Sequence, residues 1–455
     1  MKQYDVIVIG SGSGSIISEQ ALAHDLKVAL VDKGPLGGTC LNVGCIPSKL
    51  LIFPADRVRE IQEAERLGIQ AEIKAIDFPS IMERMRSIIQ KNQNHVREGI
   101  HRTPGLDFYE GTGCFIGDYT MEVSGEKIRG EKIFIVSGAR PLIPLIKGIE
   151  DVDYLTNETL LELRERPESL IIVGGGYIAA EFAHFFSAMG TRVTMLQRAE
   201  RLVKEEEPEI SELLKKEMEK RMDIHTSTEA LEAVKDRERV KIVAQNKASD
   251  ERAEFVAEKI LIAAGRESNA DLLKVENTGV ETDEKNYIRV NDYFETSKKN
   301  IWALGDAIGK KMFKHSANIE ATLVWQNSIH GAKNKLDFNL VPHAVFTYPQ
   351  IASVGLREAE AKERYNILVG VAKYDEVAKG KAMKDEKNFA KIIIEKESWR
   401  ILGFHIIGPY APILIQEVIN AMAVGGTVMP IINGLHIHPA LPELVQTTLE
   451  NLHEP

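Results

Sequence analysis

Residues 37–49 read GGTCLNVGCIPSK, which sets Cys40 and Cys45 in one glycine-rich run. The chain has only three cysteines, and the third, Cys114, sits in the strand-like stretch GTGCFIG. A close pair of thiols has three uses: redox exchange, metal binding, or none. Zinc sites usually draw on closer pairs and a second pair elsewhere, and Cys114 reads as a small core residue. A bridge between Cys40 and Cys45 needs Cα atoms within about 7 Å. Five steps of regular helix give about 7.5 Å of rise plus a sideways offset. CLNVGC therefore cannot be undistorted helix if it closes a disulfide, and Gly44 supplies the backbone freedom. A small ring in glycine surroundings favours an easily exchanged bond over a staple.

A dithiol carries two electrons, so the elements that position it must also hold a two-electron donor. Two segments fit that need: YDVIVIGSGSGSIISEQALAHDLKVALVD (4–32) and SLIIVGGGYIAAEFAHFFSAMGTRVTMLQR (169–198). Each reads as strand, glycine turn, helix and strand, the pattern of a dinucleotide-binding unit. Gly10, Gly12 and Gly14 mark the first turn, with Ser15 at the third fingerprint position. Gly174 and Gly176 mark the second, with Tyr177 and Ile178 opening the helix and Ala179 at the third position. Asp32 closes the first unit, where a carboxylate accepts from ribose hydroxyls and repels a 2′-phosphate. The second unit ends in Gln197-Arg198, with Arg201 nearby, so cations are available for a 2′-phosphate. The expectation is FAD-like ribose recognition at the first site and NADP(H), or failing that NAD(H), at the second. A flavin accepts hydride from a nicotinamide and passes the electrons to a disulfide.

The chain has 455 residues and a net charge of −10, which argues against nucleic acid as partner. No run approaches the roughly 18 apolar residues of a membrane span. The N-terminal apolar run feeds a glycine turn, so it reads as a buried strand and the expected location is cytoplasmic, where structural disulfides are rare. Residues from about 50 to 100 read as charged helix. EKILIAAGRE (258–267) and KKNIWALGDAIG (298–309) read as strands ending in turns, and the chain beyond about 341 reads as an antiparallel sheet with helices.

Together these stretches closely resemble the flavoprotein disulfide reductases. The resemblance runs in order through GSGSGS, GGTCLNVGCIPSK, VSGARP, GGGYIAAE, AAGRESN, IWALGDA, FTYPQIASVG and HIHPALPE. It implies an α/β chain with two Rossmann-like dinucleotide-binding domains and a C-terminal α+β dimerisation domain. The implied segments are an FAD-binding domain at 1–145 and 269–338, an NAD(P)-binding domain at 146–268 and an interface domain at 339–455. By motif, Cys45 would lie against the flavin as the charge-transfer thiolate, and Cys40 would exchange with substrate. Lys49 and Glu181 would form the pair near the flavin ring. The partner subunit's His438, oriented by Glu443, would act as the base. FAD would be held by Gly10, Gly12, Gly14, Asp32, Gly38, Thr39, Gly138, Asp306 and Ala307. NAD(P) would be held by Gly174, Gly176, Tyr177, Ile178, Gln197, Arg198, Gly265 and Arg266. His436 is expected to be structural.

Several features depart from the common family pattern: Ser15, Ala179, SGARP, Gln350 and the HPALPE form of the histidine motif. They bear on substrate rather than chemistry. The tail TTLENLHEP lacks the cysteines expected of mercuric reductase. Within the family, dihydrolipoyl dehydrogenase is the first expectation, acting on a lipoyl-domain or small-molecule disulfide. The second is an NADPH-dependent reductase of a low-molecular-weight thiol disulfide, of the mycothione or glutathione reductase kind. A non-catalytic FAD-binding scaffold is the reading from another class, and it predicts losses at Cys40, Cys45, Lys49 or His438. All four are present.

Overall fold

A computed structural model of the chain describes residues 1–455. Its contacts divide the chain into two compact units.

The first unit comprises residues 1–48, 82–142 and 265–338. Its sheet orders strands Leu106–Glu110, Val28–Asp32, Lys2–Ile9 and Glu126–Ile135, all parallel. Ile301–Ala303 adds to the last of these, also in parallel. An antiparallel hairpin, Cys114–Gly117 with Thr120–Val123, extends the same sheet. Val6, Ile7 and Val8 are all fully buried, which is why this strand reads as a continuous apolar run rather than an alternating one. Trp302 stacks on Phe134 with ring centres 5.3 Å apart, tying the added strand into the core.

The second unit comprises 49–81, 143–264 and 339–455. A parallel sheet orders Asp223–His225, Arg192–Leu196, Ser169–Val173, Lys259–Ile262 and Tyr154–Leu155. A three-stranded antiparallel meander runs from Thr228 to Ala257. The C-terminal part is a six-stranded antiparallel sheet built around Ile401–Ile407 and Phe389–Glu395. Helices Ala411–Ala423 and Glu443–Glu450 bury their apolar faces in the same C-terminal core. The FAKIIIE and ILGFHII runs thus become paired central strands.

The two dinucleotide-type units fold alike. A Cβ on Gly10 would meet the Val136 carbonyl oxygen at 2.3 Å, and one on Gly174 would meet that of Ala263 at 2.1 Å. Each glycine presses its turn against the end of a neighbouring strand, at φ of 108° and 129° respectively, and only glycine fits there. No helix is long and apolar enough to cross a membrane.

Candidate active site

The cysteine stretch is helical, but not continuously. A short helix, Gly38–Asn42, carries Cys40, and a second, Cys45–Gln62, begins at Cys45. The break falls at Val43-Gly44, where the sequence required one. Asn42 fixes the bend: its amide donates to the carbonyls of Pro35, Leu36 and Gly38, and its oxygen accepts from Gln93. Both cysteines are thiols, Cys40 half-buried and Cys45 exposed. The hydrogen bond with Cys45, and then burial, push the Cys40 thiol up.

Lys314 is the residue near this pair that sequence reading passed over. It opens helix Lys314–His330 and donates to Ser13 Oγ in the first glycine turn at 3.1 Å. Its charge acts on both thiols and favours the Cys40 thiolate. No spacing signal marks it, because it lies far along the chain from the cysteines.

The FAD candidates gather in the first unit. The Asp32 carboxylate accepts from the backbone N–H of Ser11 at 2.6 Å and of Gly34 at 2.7 Å. It is therefore held at the strand end beside the glycine turn. Gly38 approaches so closely that a Cβ there would lie 2.7 Å from the Gly12 Cα. That is a backbone cradle without side chains, open to a pyrophosphate at a helix N-terminus. Asp306 lies in the turn Gly305–Ile308 with Ala307 buried beside it, and burial pushes its carboxyl up against the pull of Arg266. Arg266 Nε lies 3.4 Å from Asp306, and its guanidinium also donates to the Ala139 carbonyl next to Gly138. Arg266 and Gly265 thus belong to the unit that holds the FAD candidates, whereas Gly174 and Gly176 lie in the other. These residues fit an adenine dinucleotide with free ribose hydroxyls.

In the second unit, helix Tyr177–Ala188 opens directly after Gly176. Gln197 Nε2 donates to the Arg201 carbonyl, so the strand end is tied to the loop that follows. Arg198, Arg201, Lys204 and Lys247 line a pocket of about 520 Å³ together with Ser227 and one acid, Glu200. Glu229 balances part of that charge, 3.6 Å from Arg198 and 3.8 Å from Lys247. Sequence reading named Arg198 and Arg201. It passed over Lys204, three positions beyond Arg201, and had no means of finding Lys247, which folding of the meander brings to the same wall.

Lys49 and Glu181 meet in a two-pronged ion pair at 2.9 and 2.8 Å. Glu181 also accepts from the Phe346 N–H at 3.0 Å, and the Lys49 amine lies 4.3 Å from the Phe346 ring centre. His438 Nδ1 meets Glu443 Oε1 at 2.8 Å, and Glu443 also accepts from the Ala440 N–H. Those bonds, that to His438 first, hold the Glu443 carboxyl below its ordinary range. The His438 side chain is 72 % exposed, free to present Nε2 outward. His436 turns the other way, buried against Glu417 at 2.7 Å.

Residues 4–332 match the pyridine nucleotide-disulphide oxidoreductase family, and residues 341–449 match its dimerisation domain. Mycothione reductase of Mycobacterium tuberculosis is 37 % identical over 99 % of this chain and 100 % of its own length. Dihydrolipoyl dehydrogenase of Bacillus subtilis is 30 % identical over 97 % of this chain and 96 % of its own. Among solved structures, the Cu(II) complex of the HOCl-induced flavoprotein disulfide reductase RclA from Escherichia coli superposes with a TM-score of 0.88. It is 26 % identical and covers 99 % of both chains.

Proposed function

Because the chain belongs to the pyridine nucleotide-disulphide oxidoreductase family, we propose that it is an NADPH-dependent reductase of a low-molecular-weight thiol disulfide. The family is FAD-dependent, with NAD(P)H as electron donor. The observation that carries the choice is the cationic pocket at the end of the second dinucleotide unit. A free 2′-hydroxyl has no use for Arg198, Arg201, Lys204 and Lys247 around one cleft, whereas a 2′-phosphate does. The mycothione reductase relative, at 37 % identity against 30 % for the dihydrolipoyl dehydrogenase, supports the same reading. It moves ahead of dihydrolipoyl dehydrogenase, the first expectation from the sequence alone.

The overall reaction is NADPH + H⁺ + RSSR → NADP⁺ + 2 RSH. Bound FAD supplies the relay of two electrons from the nicotinamide to the Cys40–Cys45 disulfide. Once both cysteines are thiols, Cys40 attacks one sulfur of the substrate, forming a mixed disulfide and expelling one thiolate. Cys45 then attacks the Cys40 sulfur, closing the Cys40–Cys45 bond and expelling the second thiolate, which takes the proton that Cys45 gives up. Cys40 holds its proton tightly beside Cys45, so the first step needs a base. The partner's His438 takes that proton, oriented through Nδ1 by Glu443, and returns it to the first leaving thiolate. The dimerisation domain supports a homodimer.

The test is steady-state turnover with NADPH and NADH against a panel of low-molecular-weight disulfides and lipoamide. NADPH should be preferred, and Arg198→Glu should lower kcat/KM for NADPH by about tenfold to a hundredfold while barely changing NADH. Turnover of NADH with lipoamide, unaffected by Arg198→Glu, would return the chain to the dihydrolipoyl dehydrogenase reading.

A further inference from the structure

Helix Cys45–Gln62 and helix Tyr177–Ala188 are joined twice. The first junction is Lys49 with Glu181. The second is Asp56 with His184, whose Nε2 lies 2.8 Å from Asp56 Oδ1. Lys49 and Asp56 are two turns apart on one helix face, and Glu181 and His184 are neighbours on the other helix.

The second junction is the more tightly specified. His184 is wholly buried and Asp56 nearly so, at 0 % and 13 % side-chain exposure. Arg221 reaches His184 Nδ1 at 2.9 Å, Ser187 Oγ at 3.1 Å and the Tyr348 carbonyl at 3.2 Å. A guanidinium only donates, so Nδ1 accepts and Nε2 carries the hydrogen given to Asp56. The tautomer is fixed by the chain of contacts. The Tyr348 ring stacks over the imidazole, and the Tyr348 hydroxyl reaches Glu63, which also holds Arg59. The segment Phe346–Tyr348 serves both junctions: its first N–H goes to Glu181 and its last carbonyl to Arg221.

The first junction is open on one side only: the Lys49 side chain is 37 % exposed, whereas Glu181 is 6 % exposed and also takes the Phe346 N–H. Burial pushes Asp56 up to about 6, holds His184 well below its ordinary value and lowers Arg221 to about 10. A buried polar chain of this kind is by itself weak evidence of a stabilising role.

We propose that Asp56, His184 and Arg221 are positioning residues for Lys49, fixing the two helices in the register that sets the Lys49 amine. The inference rests on the flavoprotein reading of the proposed function and on the role that the family resemblance implies for Lys49 and Glu181.

The test is a double-mutant cycle in the FAD-loaded dimer: Asp56→Ala, Lys49→Met and the two combined, with Asp56→Asn as the conservative variant. The readouts are the rate of anaerobic reduction by the preferred nicotinamide nucleotide and the flavin midpoint potential. Asp56→Ala should slow reduction by about tenfold and shift the potential, in the range of contacts that couple directly. Asp56→Asn, which still accepts from His184, should stay near wild type. In the Lys49→Met background, Asp56→Ala should add nothing to either readout. Full additivity would overturn the proposal, as would a fall in thermal stability with rate and potential unmoved. Lys49→Met without effect on either readout would overturn both the proposal and the placement of Lys49. Should Asp56→Ala fail to fold, Arg221→Met removes the other end of the chain and enters the same cycle.

Discussion

Asp56 is a carboxyl displaced upward by its surroundings. Its carboxyl is pushed by burial from 3.8 up to about 6, which is the reverse of a stabilising aspartate. Between those two values the folded chain binds more protons than the unfolded chain, so stability falls as pH rises through the window. Above about pH 6 the loss is complete. Asp56→Asn removes the charge and keeps an acceptor for His184. It should therefore raise stability at pH 8 by about 1–2 kcal/mol, discounted for partial solvation. The gain should fade as pH falls from 6 towards 4, as thermal unfolding at several pH values will show. A variant less stable than wild type at pH 8 would mean that the ionised carboxylate is a net asset.

At the scale of elements, the loop that lines the cationic pocket is tied down at its far end. Glu206 accepts from Ser353 Oγ at 2.5 Å and faces His343 Nε2 at 2.7 Å. Glu207, just before helix Pro208–Met218, accepts from the Glu358 N–H at 2.5 Å and from Lys391 Nζ at 3.1 Å. Lys391 is 3 % exposed and also meets Glu209 and Glu358. Burial pulls its amine down, but the bonds to Glu209 and Glu358 outweigh it and hold it above its ordinary value. Lys391→Met would leave buried Glu207 with the Glu358 N–H but without its lysine, so it should lower stability by about 3–5 kcal/mol in urea titration. A loss below about 1 kcal/mol would show that the carboxylates find other partners or protonate. In the sequence, Lys391 interrupts FAKIIIE as a polar residue of an alternating strand would. Its burial follows from Glu207 and Glu209, which lie about 180 positions earlier.

At the scale of the whole molecule, the exposed His438 and the dimerisation domain lead to a complementation experiment. Cys40→Ser and His438→Ala homodimers should each lose most of their turnover. A heterodimer of the two variants should recover about half of wild-type activity, since one of its two symmetry-related sites keeps both groups. No recovery would place His438 in the same chain's site or outside the chemistry. The sequence by itself determined the reaction class, because that chemistry is written in contiguous stretches. Local spacing dictates local geometry: the glycine turns after apolar strands, the interrupted helix at Val43-Gly44, and His438 five positions before Glu443. The tertiary structure alone decided which distant charges meet. Lys247 joins Arg198 in one pocket from 49 positions away, and Asp56 finds His184 128 positions away. Such pairings leave no periodicity to read, because they depend on which faces of helices and strands are buried together.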